Sequence, residues 1–256
     1  MTGGDVQRGS AVADAPKLSL RSVQRTYRGS PPVHALRDAT LDIGAGEVVG
    51  IVGRSGSGKS TLLNVLGLLD VPTGGEYRVG GCPVSGLNER DQTLLRCRFV
   101  GLVFQHSFLL ERLSAQENVE LAKRPRGIPT RERRWRAADA LARVGLSHRR
   151  RFLPGRMSGG ECQRIAIARA LVQRPRVLLC DEPKGNLDER TAADVLDTLI
   201  GYAELGVSVI MVTHDLGIAR MLPRVLSVRD GVVSEGDVAF LRSDDLVGQN
   251  ASDRRA

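Results

Sequence analysis

The stretch Gly53-Arg54-Ser55-Gly56-Ser57-Gly58-Lys59-Ser60-Thr61 follows the apolar run Val48-Val49-Gly50-Ile51-Val52 and leads into Leu62-Leu63-Asn64-Val65-Leu66. A β-branched run, a glycine-rich turn and a leucine-rich segment predict a buried strand, a loop and a helix, with Gly-x-x-x-x-Gly-Lys-Ser at the junction. Such a junction is a phosphate cradle. Glycine at 53, 56 and 58 lets successive backbone N–H groups wrap a polyphosphate at the positive end of the following helix. Lys59 can then reach the terminal phosphates, and Ser60 can ligate Mg²⁺. The loop alone names neither the nucleotide nor the work that hydrolysis would drive.

With 256 residues, 41% of them hydrophobic, the chain can bury a full core and suits one large α/β domain or a domain with a lobe. No apolar run approaches the roughly 18 residues of a membrane span, and residues 1–15 lack the hydrophobic core of a signal peptide. The expectation is a cytosolic chain whose membrane role, if any, needs a partner. The net charge of +8 comes mainly from arginine, since lysine stands only at Lys17, Lys59, Lys123 and Lys184. Basic clusters at residues 131–136 and 149–151 could face nucleic acid, anionic lipid or only solvent, and a solvated helix face is the simplest reading. Cys82, Cys97, Cys162 and Cys180 lack the paired spacing of a zinc site and read as reduced structural thiols.

Residues 1–16 are small, polar and poorly patterned, which predicts a disordered leader. Leu18, Leu20, Val23 and Tyr27 suggest an edge strand, and residues 36–43 a second one before the strand into the cradle. Tyr27 could stack on a base or simply fill the core or surface. Thr73-Gly74-Gly75 marks a turn before a short hairpin over residues 76–84. Asn88 can cap a helix reaching Arg96, and residues 99–104 read as a buried strand ending at Gln105. From 109 to 155 only helices are predicted, over 114–123 behind a Ser114/Glu117 capping box and over 131–144 up to Gly145.

A second capping box, Ser158 with Glu161, opens another helix whose glycines at 159 and 160 leave its first N–H groups open to an anion. A second bare helix start is odd for one phosphate site unless two copies share their ligands. Val177-Leu178-Leu179-Cys180 predicts a buried strand ending in Asp181-Glu182. In P-loop enzymes a carboxylate at that place holds Mg²⁺, and the adjacent Glu182 could polarise water. Gly185-Asn186-Leu187-Asp188 turns the chain into a helix running to about Glu204. The strand over 207–212 then ends at Thr213-His214-Asp215, so Gln105, Asp181 and His214 all close strands that could share one sheet edge. Residues 225–228, an Asp230-Gly231 turn and residues 232–235 form the last predicted hairpin. A loose polar tail is expected over 243–256.

Taken in order, residues 53–61, Gln105, 157–164, 180–188 and His214 give a chain that resembles an ABC transporter ATPase from Tyr27 to Glu235, in the branch containing MacB, LolD and FtsE. The resemblance implies an α/β P-loop NTPase of ABC type over residues 17–242. Its mixed or parallel sheet core would carry an antiparallel N-terminal β-subdomain and an inserted helical subdomain at about 107–157. It implies Tyr27 as the adenine-stacking aromatic and Gly53, Arg54, Ser55, Gly56, Ser57, Gly58, Lys59, Ser60 and Thr61 as the ATP-binding loop. Gln105 would be the Q-loop residue that senses Mg²⁺ and the membrane partner. Ser158, Gly159 and Gly160 would cap ATP held by a second subunit. Asp181 would bind Mg²⁺ beside Ser60, Glu182 would be the catalytic base, Asp188 the D-loop acid and His214 the switch. Cofactors would be ATP and Mg²⁺. Partners would be a second ATPase subunit and a MacB/FtsX-type permease, with the chain peripheral on the cytoplasmic face of the membrane and no specific nucleic acid. An FtsE-like signalling ATPase without transport and a nucleic-acid-associated ATPase are the alternatives. Three residues depart from the branch: Lys184 stands where threonine is usual, Cys162 where glutamine is, and Met157 where leucine is. Lys184 brings a cation near the Mg²⁺ site, with slowed or altered turnover as the expectation.

Overall fold

The computed structural model describes residues 18–122, 128–184 and 187–236. The expected leader and loose tail lie outside these residues, as do Lys123 at the end of one predicted helix and Gly185-Asn186 in the turn after Glu182.

Strand β3 (Val48–Val52) is buried at every position. It pairs in parallel with β8 (Ser208–Val212) on one side and β9 (Arg224–Arg229) on the other. Parallel pairing continues from β8 to β7 (Val177–Asp181) and on to β6 (Val100–Val103). The other half is antiparallel: β1 (Leu18–Tyr27) lies between β2 (Val33–Ile43) and β4 (Gly74–Val79), with the short β5 (Cys82–Pro83) outside. β10 (Val232–Glu235) pairs antiparallel with β9 and touches β2 at Val232 and Asp38, joining the halves into one sheet ordered β5-β4-β1-β2-β10-β9-β3-β8-β7-β6.

The period of two decides which face each apolar residue covers. Val49, Ile51, Val177, Leu179, Ile210 and Val212 pack with Leu62, Leu63, Val65 and Leu66 of α1 (Lys59–Leu66) and with the inner residues of the antiparallel half. Val48, Val52, Leu178, Cys180, Val209 and Met211 face the other way. They pack under α5 (Gly159–Leu171), α6 (Glu189–Glu204) and α7 (Leu216–Met221). Burial on both faces is why these strands read as continuous apolar runs. Between β6 and β7 the described residues hold no strand; α3 (Ala115–Glu120), α4 (Thr130–Arg143) and α5 follow one another with short 3₁₀ turns between them.

Three boundary expectations need correction. Neither β1 nor β2 is an edge strand, because β4 and β10 cover their outer sides. Gly74 and Gly75 belong to β4 rather than to a turn, with a register shift opposite residues 21–24 of β1. Phe99 ends α2 (Glu89–Phe99) instead of opening β6: its carbonyl accepts from Arg176 N–H at 2.9 Å, and the Arg176 guanidinium sits 5.2 Å above its ring.

Candidate active site

The strand order brings the predicted residues together. With β3, β8, β7 and β6 adjacent, Ile51 is level with Val212, Val212 with Asp181, and Cys180 with Val103. The chain therefore leaves the same edge of the sheet at Gly53, His214, Glu182 and Gln105. A cleft of about 480 Å³ lies there, lined by Gly53, Arg54, Ser55, Lys59, Ser60, Gln105, Asp181, Glu182 and His214. An adjoining hollow of about 570 Å³ shares Lys59 and Ser60 and extends past Gly56, Ser57, Gly58 and Thr61 to Tyr27.

The cradle is built by close backbone approach. Gly53 and Gly58 have φ of 155° and 110°, and a Cβ on them would stand 2.3 Å from Val228 O and 2.4 Å from Ala35 O. Helix α1 begins with no side-chain cap and no acid in its first turn. Its positive end therefore opens into the cleft. The buried Ser57 hydroxyl has no hydrogen-bond partner, and Lys59 Nζ donates to Gly53 O and Arg54 O, each at 2.8 Å. Burial pulls the Lys59 pKa down, while the charges of Glu182 and Asp181 push it up. An uncapped helix end, an orphaned buried hydroxyl and a half-buried ammonium fit a polyphosphate.

Across the cleft, burial raises the Asp181 pKa, the neighbouring Glu182 charge raises it further, and Lys59 opposes both. A bound cation would relieve that strain. No group of three or more His, Cys, Asp or Glu that could hold a metal occurs among the described residues. The donor set suits Mg²⁺, which needs one or two carboxylates and completes its shell with phosphate and water. Glu182 has φ 47°, an uncommon left-handed conformation for a non-glycine residue. Its N–H donates to Val212 O at 3.0 Å, continuing the β7–β8 pairing one residue past the strand. Its Oε1 meets Nδ1 of His214 at 2.7 Å and accepts the His214 N–H at 3.0 Å.

Tyr27 is held at the rim of the second hollow. Its hydroxyl donates to Asp70 Oδ2 at 2.6 Å, and the Arg25 guanidinium, paired with the same carboxylate, sits 4.5 Å above its ring. Ser158, Gly159, Gly160 and Asp188 do not line the cleft. Ser158 caps α5 in a complete capping box with Glu161, and Gly159 and Gly160 face Leu187 and Thr191 of the α6 start. The Asp188 carboxylate caps α6 through Thr191 N and Oγ1 at 3.0 and 2.7 Å. The start of α5 therefore stands apart from the cleft that holds Lys59 and Asp181.

Several supporting contacts carried no sequence signal, because the two partners are distant in the chain. Gln163 Nε2 donates to Phe104 O at 3.1 Å, and Arg169 donates to Ser107 O and Phe108 O at 2.6 and 2.8 Å, so helix α5 grips the loop carrying Gln105. Lys184 Nζ lies 2.8 Å from Asp215 Oδ2. Much of the basic run is also engaged internally: Arg149 pairs with Glu161, Arg136 with Glu132, and Arg133 donates to Ile128 O and Thr130 Oγ1.

Residues 36–185 match the family model described as ABC transporter. The chain is 44% identical over 220 residues to the lipoprotein-releasing system ATP-binding protein LolD of Paramagnetospirillum magneticum, covering 85% of this chain and 97% of that protein. It is 45% identical over 215 residues to the macrolide export ATP-binding/permease protein MacB of Photorhabdus laumondii, covering 84% of this chain and 33% of the relative. The chain spans about a third of the length of this and the related pyoverdine export proteins. The ATP-binding cassette MJ0796, solved as a dimer in a post-hydrolysis state with ADP and Pi, superposes with a TM-score of 0.78. It is 38% identical, over 86% of this chain and 98% of that one.

Proposed function

The chain belongs to the ABC transporter family, and we propose that it is the ATP-binding and hydrolysing subunit of an export complex, coupling ATP-driven pairing of two subunits to a separate MacB/FtsX-type permease. The observation that carries this reading is the meeting of Lys59, Ser60, Gln105, Asp181, Glu182 and His214 around one cleft. No single motif would suffice.

Phosphoryl transfer to water asks a protein mainly for positioning and charge neutralisation. The loop from Gly53 to Thr61 and the α1 terminus hold the phosphates of ATP, and Tyr27 offers a face to the base. Ser60, Gln105 and Asp181 are the residues that would hold Mg²⁺, which supplies positive charge at the phosphate oxygens when bound. Glu182 orients the attacking water, and His214 fixes Glu182 and faces the transferring group. Ser158, Gly159 and Gly160 are set apart from this cleft and complete the site of a second copy, with Asp188 beside them. The dimeric cassette relative supports that arrangement.

Among the described residues no helix is long and apolar enough to cross a membrane, so membrane coupling is assigned to the permease, with this chain at the cytoplasmic face. The lipoprotein-releasing relative, matched over nearly its whole length, supports a transport-coupled role. The test is affinity purification of the chain from gently solubilised native membranes with ATP and vanadate. An integral membrane protein in matching amount is expected; recovery of only soluble partners or nucleic acid would remove the transport coupling.

A further inference from the structure

Lys184 stands two residues after Glu182, on the loop between β7 and α6, and has no part in the chemistry above. Its ammonium meets Asp215 Oδ2 at 2.8 Å, with both side chains about 30% exposed (29% and 30%). Asp215 directly follows His214. Its other oxygen, Oδ1, accepts from Gly217 N–H and Ile218 N–H at 2.8 and 3.3 Å and caps helix α7. The carboxylate is therefore divided, one oxygen fixed to a helix and the other to Lys184. One rung, from Glu182 to His214, already joins the two loops. The ion pair from Lys184 to Asp215 is a second rung, two residues further along one loop and one residue further along the other.

The second rung matters because the imidazole arm of the first stands in solvent. The His214 side chain is 74% exposed, and exposed hydrogen bonds hold geometry poorly against water. Glu182 sits at φ 47°, a conformation that persists where its surroundings over-determine it. The hydrogen bond between Lys184 and Asp215 raises the Lys184 pKa and lowers that of Asp215, so both stay charged around neutrality. A threonine at 184, which the family resemblance leads one to expect, carries no charge and cannot form this pair.

We propose that Lys184, through its ion pair with Asp215, is a positioning residue that holds Glu182 and His214 in their reactive relation and so sets the turnover rate without touching nucleotide. The inference rests on the ATPase reading above. Its test uses the full chain with ATP and Mg²⁺, measuring kcat, KM and the affinity for a fluorescent ATP analogue. Lys184→Met keeps an unbranched side chain one atom shorter and removes the charge, Asp215→Asn keeps the helix cap, and Lys184→Arg keeps the pair. Lys184→Met and Asp215→Asn should each lower kcat about three- to thirtyfold, between the worth of a half-exposed ion pair and the cost of a misplaced reacting group. KM and analogue affinity should stay within about twofold, the double variant should be no slower than either single one, and Lys184→Arg should recover most of the rate. An unchanged kcat in Lys184→Met, additive losses, or affinity falling in step with kcat would each overturn the proposal. No turnover in the unaltered chain would defeat the ATPase reading instead, whereas turnover abolished by Glu182→Gln but indifferent to Lys184→Met would defeat this inference alone.

Discussion

Nδ1 of His214 lies 2.7 Å from Oε1 of Glu182, and the same oxygen accepts the His214 backbone N–H at 3.0 Å. One residue thus holds one oxygen of the carboxylate through two contacts. Replacing Glu182 by glutamine keeps the shape and removes the charge to which the proposed function gives the orienting of the water. Turnover should fall by about 100-fold or more, the scale of a lost general base. ATP binding should survive, and a dimer should accumulate with ATP on size exclusion. Normal hydrolysis by Glu182→Gln would refute the assignment of Glu182.

Much of this site was legible because its motifs are local. A strand, a glycine loop and a helix within residues 48–66 announce a phosphate cradle, and Asp181 and His214 each end a visible apolar run. Capping boxes at Ser114 and Ser158 were readable for the same reason, since both partners lie within one turn. What escaped was the pairing of distant segments. Asp70 holds Tyr27 across 43 positions and Gln163 reaches Phe104 across 59. The positions of β1 and β2 inside the sheet depend on β4 and β10, and no periodicity within a strand records its neighbours.

Gly160 is a test of the proposed role of the α5 start in pairing. A Cβ there would stand 2.0 Å from Thr191 Cγ2. Thr191 cannot easily turn away, since its N–H and hydroxyl both serve the Asp188 cap. Gly160→Ala should cost about 1–3 kcal/mol of stability, as overpacking does, and should suppress ATP-dependent pairing. Thr191→Ser removes the offending methyl and keeps the hydroxyl. Added to Gly160→Ala it should restore melting temperature and pairing; if it restores neither, steric conflict is not the cause.

Tyr27 separates anchoring from stacking. Its hydroxyl bonds Asp70 at 2.6 Å, while its ring lines the hollow beside the phosphate loop. Tyr27→Phe should lose about 0.5–1.5 kcal/mol of stability, the net worth of one hydrogen bond, and leave ATP affinity nearly intact. Tyr27→Ala should weaken ATP binding by roughly 1–3 kcal/mol, by analogy with aromatic–base stacking. Calorimetric titration of both variants distinguishes the roles. Equal loss of affinity in the two would show that the hydroxyl, not the ring, serves the ligand.

Acid should loosen the start of helix α5, and the sign follows from Glu161. The Ser158 N–H at 2.9 Å and the Arg149 guanidinium at 3.0 Å hold its carboxyl below the ordinary value of 4.5. A depressed native pKa means that the unfolded chain binds more protons as the pH falls. The stabilisation is therefore complete above about pH 4.5 and is lost as the pH drops through the lower native value. Glu161→Gln, which keeps an acceptor but no charge, should be less stable than the unaltered chain by about 1–2 kcal/mol at pH 7, the lower part of the roughly 1.5–3 kcal/mol range for hydrogen bonds to a charged group once the exposure of Arg149 is discounted. In urea melts taken at falling pH the two curves should converge on the acid side. A gap that stays constant down to pH values well below 4.5 would mean that packing, not the charge of Glu161, anchors the helix that carries Ser158, Gly159 and Gly160.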